Sequence, residues 1–426
     1  MALSASVSAL SLVLALLPAP VRADPAAAAA CQFIAGNTYC SQTQHITYEN
    51  FNQEEGSFQT PSFMDEVTGA VSRMQVPFSG SPFLNNETVS LHFRGPLQLN
   101  TLAVYSPASC QPASTSSLDI HASAFSSSIA TRDPSHTRAR RHSHHHNNAR
   151  GFSVTATSSA SVSYSSTPLP TAGPCSGNAW SRSSYYNAAS QTADNIVFLN
   201  NLGGVNGSGT WSSAFGNSLS FAGANGHGAA AAPQTLEQTV IPSNVEIIVK
   251  TGQKCGDNCP GFVRGGPEVA YHGFKPEDSI FIVELLMPHD NVNSPINNDM
   301  PAFWMLNSRI ADCGQYSPSS CWDTGCGEFD ILEVLDPGNE RCTSHLHIAQ
   351  GGASTNGKIS GGGGSPDWIA RPVQTPKKFL VYFKSAAHTI DILALDDSFV
   401  IGDTITQDQL SAALAEHPAS IFTVPS

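Results

Sequence analysis

Short apolar runs closed off by Gly, Pro or Asn recur along this chain, and this spacing constrains its fold more than any other feature of the sequence. Val89-Ser90-Leu91-His92-Phe93 and the run from Leu97 to Tyr105 come first. After Cys175 follow 195–200, 245–251, 279–287, 302–306, 328–335, 345–349, 379–383 and 389–395. Each is strand-length, and helical periodicity is scarce outside 407–416. The pattern predicts an all-β fold, a sandwich or jelly roll, and excludes a helical bundle.

The composition changes sharply between residues 111 and 174, where Ser, Thr, Ala, His and Arg replace the large apolar residues. Such a stretch cannot bury enough surface to offset the entropy of ordering. It reads as a Ser/Thr/His/Arg-rich linker with a cuttable Arg140-Arg141 pair. Four regions follow: a secretory signal over 1–23, a small Cys-containing β domain over 24–110, the linker over 111–174, and a sandwich domain over 175–426. The signal reading rests on the apolar run from Val7 to Leu17 and the small-residue site ending at Ala23. No second run of membrane length follows, so no membrane anchor is expected.

The chain carries a net charge of −13, and residues 176–426 hold 12 Lys/Arg against 24 Asp/Glu. Phosphate would be repelled by such a surface, so nucleic acid is not an expected partner and a neutral polymer suits it better. Ten cysteines in an exported chain point to disulfides, with Cys255–Cys259 and Cys321–Cys326 spaced as small staples. No metal or cofactor is expected, since no His or Cys pair stands at finger-like spacing. In the 24–110 region, which has no Trp, any sugar contact would fall to Tyr39, Tyr48, Tyr105 or the phenylalanines.

The chemistry concentrates in Gly325-Cys326-Gly327-Glu328-Phe329-Asp330-Ile331-Leu332-Glu333. Side chains alternate along a strand, so Glu328 and Asp330 share one face while Phe329 and Ile331 enter the core. Glu333 is out of step by one residue. A β-bulge near Ile331-Leu332 would restore it to the acidic face. Three clustered carboxylates raise one another's pKa, a cost that a retaining glycosidase uses: one acid attacks, the other delivers a proton. Glu328 is the expected nucleophile, Glu333 the acid/base, and Asp330 the partner that sets their protons. An acidic calcium site is the other reading of these three residues. Trp304 and Trp368 offer rings for sugar stacking, and His345 and His347 alternate so that both face one side; Trp304, His347 and Trp368 are the expected substrate contacts.

Pro301-Ala302-Phe303-Trp304 upstream of Glu328-x-Asp330-x-x-Glu333 resembles the signature of glycoside hydrolase family 16, the concanavalin-like sandwiches. The whole layout resembles the fungal target-of-SBF cell-wall protein family. The resemblance implies a secreted, extracellular or wall-bound glucan endo-1,3-β-D-glucosidase that acts with retention on cell-wall β-glucan, as an expected monomer. The Cys313–Cys326 stretch and Gly361–Gly364, read as a Gly-rich loop, depart from the general family pattern. A glucan transglycosylase using the same acids, or a non-catalytic glucan-binding or structural wall protein, are the competing readings.

Overall fold

The computed structural model describes residues 31–51, 55–81, 87–108, 179–255, 259–317, 319–355 and 358–426. The expected signal, the linker with Arg140-Arg141, Cys110 and Cys175 lie outside them.

Two large antiparallel-rich sheets make a sandwich, as the strand-length runs lead one to expect. The first orders its strands as Ala229–Ala230, Ser220–Ala222, Val197–Asn200, Glu246–Lys250, Val89–Arg94, Ala302–Asn307, Glu328–Glu333, Arg341–Thr355 and Lys358–Ala370. The second runs Thr404–Thr406, Ala179–Asn187, Gln98–Pro107, Ile280–Leu286, Lys377–Lys384, Thr389–Ala394, His45–Glu49 and Ser420–Thr423, with Thr192–Asp194 beside Ala179–Asn187. Inward residues of both sheets interdigitate in one core: Leu91, Phe93, Phe303, Met305, Phe329 and Ile331 meet Tyr48, Val104, Phe281, Val381, Phe383 and Ile392. Helix Gln407–Glu416 lays Leu410 and Ala413 on the outer face of the second sheet. Its first turn is closed by a capping box between Thr406 and Gln409.

The sequence expectation of a separate small domain over 24–110 is corrected here. The described residues up to Ala108 and those from Ala179 onward form one compact unit. Val89–Arg94 lies between Glu246–Lys250 and Ala302–Asn307 in the interior of the first sheet. Gln98–Pro107 lies between Ala179–Asn187 and Ile280–Leu286 in the second. Both strands are buried along most of their length, although the outer face of Val89–Arg94 is the polar one, with Ser90, His92 and Arg94. Local alternation reports such strands but not their partners. Tyr39, Tyr48 and Tyr105 are all buried, so none presents a ring to a sugar.

Two further local readings change. Gly361–Gly364 is no loop; it belongs to strand Lys358–Ala370, paired with 345–348. A Cβ on Gly364 would stand 2.7 Å from the His345 ring, so the bare backbone makes room for that imidazole. Disulfides join Cys31–Cys40, Cys255–Cys259 and Cys321–Cys326, which realises both expected staples. Cys313 and Cys342 remain buried thiols, each pushed up to about 12 by burial first of all. Cys342 points into the sandwich core beside Met287, where no second cysteine among the described residues reaches it. No helix among the described residues is long and apolar enough to cross a membrane.

Candidate active site

The acidic strand Glu328–Glu333 carries the bulge that the spacing of its acids requires. Trp304 faces Asp330 while the preceding Phe303 faces Leu332, so Ile331 is the extra residue on that side. On the other side Asp330 faces His345 and Glu333 faces Thr343, which leaves Ile331 and Leu332 opposite Ser344 alone. Ile331 and Leu332 both enter the core. The Ser344 hydroxyl donates to the Asp330 carbonyl at 2.8 Å and accepts from the buried Tyr48 hydroxyl at 2.9 Å. The bulge is therefore held by a residue from each large sheet.

Glu328, Asp330 and His347 bring their polar atoms within 4.8 Å of one another. His347 Nε2 meets Asp330 Oδ2 at 3.1 Å, and the Trp322 indole N–H donates to Glu328 Oε2. Arg94 donates to Glu333 Oε1 at 3.1 Å and, through Nε, to the Met300 carbonyl at 2.9 Å. Its guanidinium also lies 5.8 Å from the Trp304 ring centroid. Arg94 lies 239 residues before Glu333 in the chain, so residues far apart in sequence complete one site.

Burial, and then the Asp330 charge, push the Glu328 carboxyl up to about 8. Burial and the Glu333 charge hold Asp330 well above the usual carboxylate range. Three acids here do not carry three charges at neutral pH. A proton shared by Glu328 and Asp330 removes the repulsion that raises the other member, so one of the two can ionise while its neighbour stays neutral. The indole N–H is a donor only and stabilises the anionic form of Glu328.

The raised value has a consequence for stability. Glu328 binds its proton more tightly folded than unfolded, so its contribution is fully present below about pH 4.5 and is lost as pH rises through about 8. Replacing it by Gln is expected to leave the melting temperature nearly unchanged at pH 4.5 and to raise it over the native chain progressively toward pH 8. Parallel thermal melts of both proteins across that range would contradict the assignment.

Of the expected substrate contacts, His347 stands beside the acids with its side chain 43% exposed. Its ring stacks on His345 at 6.0 Å, so both do share a face. Trp304 is only 4% exposed, sandwiched against His92 at 5.1 Å and packed among Phe58, Leu306 and Ile310. So little of the ring is exposed that it supports the site and offers no open platform. Trp368 lies two strands beyond Glu333, partly exposed, with Arg341 5.1 Å from its ring centroid. The open indole near the acids is Trp322, which is 44% exposed and stands on the turn closed by Cys321–Cys326. Its position between two cysteines ahead of Glu328 was the available signal. For Arg94 there was none, because it is pairing of distant strands within the first sheet that brings it to Glu333.

Beside Arg94, a second polar chain runs under Trp304. His92 is buried, and burial lowers its pKa, so the ring is neutral. A neutral imidazole between a carboxylate and a hydroxyl donates from Nδ1 to Glu246 at 2.7 Å and accepts at Nε2 from Ser90, also at 2.7 Å.

Fold and site together define a two-sheet β-sandwich protein with a carboxylate centre on the open face of one sheet. The chain belongs to the YJL171C/Tos1 family of cell wall proteins: the family's C-terminal model matches residues 178–413 and its N-terminal model residues 44–107. A relative from Candida albicans, named "Probable circularly permuted 1,3-beta-glucanase TOS1", is 38% identical over 93% of this chain and 95% of its own. One of the same name from Saccharomyces cerevisiae is 32% identical over 89% of this chain and 93% of its own. A Schizosaccharomyces pombe relative, also named a probable circularly permuted 1,3-beta-glucanase, is 46% identical over 53% of this chain and 43% of its own. No solved structure matches the chain.

Proposed function

We propose that this chain is a retaining glycoside hydrolase that cleaves β-1,3-glucan of the cell wall internally. The observation that carries the reading is the bulge, which sets Glu328, Asp330 and Glu333 on one face beside His347, Arg94 and Trp322. The names of the relatives supply the substrate class. In this reading the glucosyl unit lies over Trp322, and Glu328 attacks its anomeric carbon. Glu333 protonates the departing glycosidic oxygen and then activates water for the second displacement. Asp330, bonded to His347, holds the proton that would otherwise neutralise Glu328. Turnover needs no metal ion in this mechanism, and a chelator is expected to leave it unchanged.

One observation favours the exchanged assignment, in which Glu333 attacks and Glu328 is the proton donor. Arg94 gives Glu333 a cationic partner at 3.1 Å, whereas burial favours the neutral form of Glu328. Azide rescue separates the two. With an activated aryl β-glucoside of a β-1,3-oligomer, an attacking-residue variant rescued by azide yields the α-glycosyl azide, and an acid/base variant yields the β-azide. The first assignment expects the α product from Glu328→Ala and the β product from Glu333→Ala.

The overall reading is tested on a defined β-1,3-glucan hexamer with a β-1,4 hexamer as control. Shorter products from the former alone are expected. Products longer than the starting oligomer would instead make the protein a transglycosylase, in which a sugar hydroxyl replaces water in the second step. Binding without any cleavage would make it a glucan-binding wall protein.

A further inference from the structure

Tyr316 is oriented against the usual habit of amphipathic side chains. Such residues bury the apolar body and leave the polar tip in water. Tyr316 does the reverse: its hydroxyl donates to Glu246 Oε2 at 2.6 Å while the residue is 73% exposed. Glu246 is itself fixed, since its other oxygen accepts from the buried His92 and Asn201 approaches the same Oε2 at 3.4 Å. Asn201 Nδ2 also lies 3.4 Å from Gln315 Oε1, long enough for both amides to turn toward another partner. The result is an anchored, water-exposed aromatic face ringed by half-buried amides and a carboxylate.

Its place relative to the acids follows from the sheet. Glu246, Arg94, Ala302 and Glu333 face one another in a single row across four strands. Neighbouring strands stand about 4.8 Å apart, so Glu246 is roughly 14 Å from Glu333 along that row. The Tyr316 hydroxyl is within reach of the charges of Arg94 and Glu328. Trp322 and His347 stand on the other side of the acidic strand, toward Arg341–Thr355. The carboxylates therefore lie between two exposed aromatic side chains.

We infer that Tyr316, with Asn201 and Gln315, forms an outer sugar-binding subsite that stacks a glucosyl unit away from the cleavage point and selects longer chains. This rests on the glucan reading above. A pyranose ring presents apolar C–H faces to an aromatic ring and hydroxyls at its rim to amides and carboxylates, which are the groups present.

The test uses the full chain carrying Glu328→Gln, so that binding is read without turnover, titrated calorimetrically with β-1,3-linked glucose trimer and hexamer. Adding Tyr316→Ala is expected to weaken hexamer binding about 10-fold and trimer binding less than about 2-fold. Tyr316→Phe keeps the ring and is expected to stay within about 3-fold on both. The inference is overturned if Tyr316→Ala leaves the hexamer affinity intact, if it weakens trimer and hexamer equally, or if Phe and Ala weaken binding alike. Retained affinity in Tyr316→Phe distinguishes loss of a subsite from loss of fold. Should the parent Glu328→Gln chain bind neither β-1,3 oligomer, the glucan reading itself fails and this subsite with it. Binding by the parent that ignores Tyr316 sinks the subsite alone.

Discussion

Glu328→Gln is expected to lower turnover of a β-1,3-glucan oligomer by at least about 10³-fold while adsorption to insoluble glucan stays nearly constant. The amide keeps the volume of the carboxyl and still accepts from the Trp322 indole N–H, so the surrounding contacts survive. What disappears is the anion and the proton equilibrium with Asp330. Glu333→Ala is expected to fail most with poor leaving groups and least with an activated aryl glycoside, because only the former need a proton donor. An active Glu328→Gln protein would remove that residue from the chemistry. Equal losses for both leaving groups in Glu333→Ala would remove the donor role.

The second large effect concerns the strands before residue 108. A chain restricted to 179–426 is expected not to fold. It would lack an interior strand of each sheet, Val89–Arg94 and Gln98–Pro107, together with His45–Glu49, and it would expose unpaired edges in their place. Ile46, Tyr48, Val89, Leu91, Phe93, Leu99, Leu102 and Val104 would also leave the core. At roughly 1.5–3 kcal/mol for each large apolar side chain, these eight match or exceed the whole stability of a typical domain, about 5–15 kcal/mol. Cutting the backbone after Arg141 has a different expected outcome, because it removes none of these strands. The nicked protein should elute as one species in gel filtration, give two bands on a reducing denaturing gel and remain active. A soluble, cooperatively melting 179–426 fragment would contradict this account of the fold.

Much of this could be read from local pattern. The bulge follows from three acids at a spacing that only an extra residue can place on one face, and Ile331 and Leu332 enter the core as that requires. The helix at 407–416 and most strand positions follow from periodicity. The failures share a cause: pattern shows what a strand is, not what it pairs with. Residues 24–110 carry their own alternating runs and a Ser/Thr/His/Arg-rich stretch of sequence follows them, so they read as a separate domain although their strands complete both sheets. Arg94 was invisible for the same reason. Trp304 carries a strong sequence signal but packs against His92, whereas Trp322 and Tyr316, on the turn before the motif, present the open rings. Gly361–Gly364 looked like a loop because the groups that crowd it, the His345 and Phe422 rings and the backbone of the neighbouring strand, lie elsewhere in the sequence.

The most direct test of the central claim, that the bulged acidic strand cleaves β-glucan by double displacement, is the configuration of the first product released. Early proton NMR spectra of the intact protein acting on a β-1,3-glucan hexamer are expected to show the new reducing end as the β anomer, with the α form growing in only by mutarotation. An α anomer formed first would require direct attack by water and would contradict the roles given to Glu328 and Glu333.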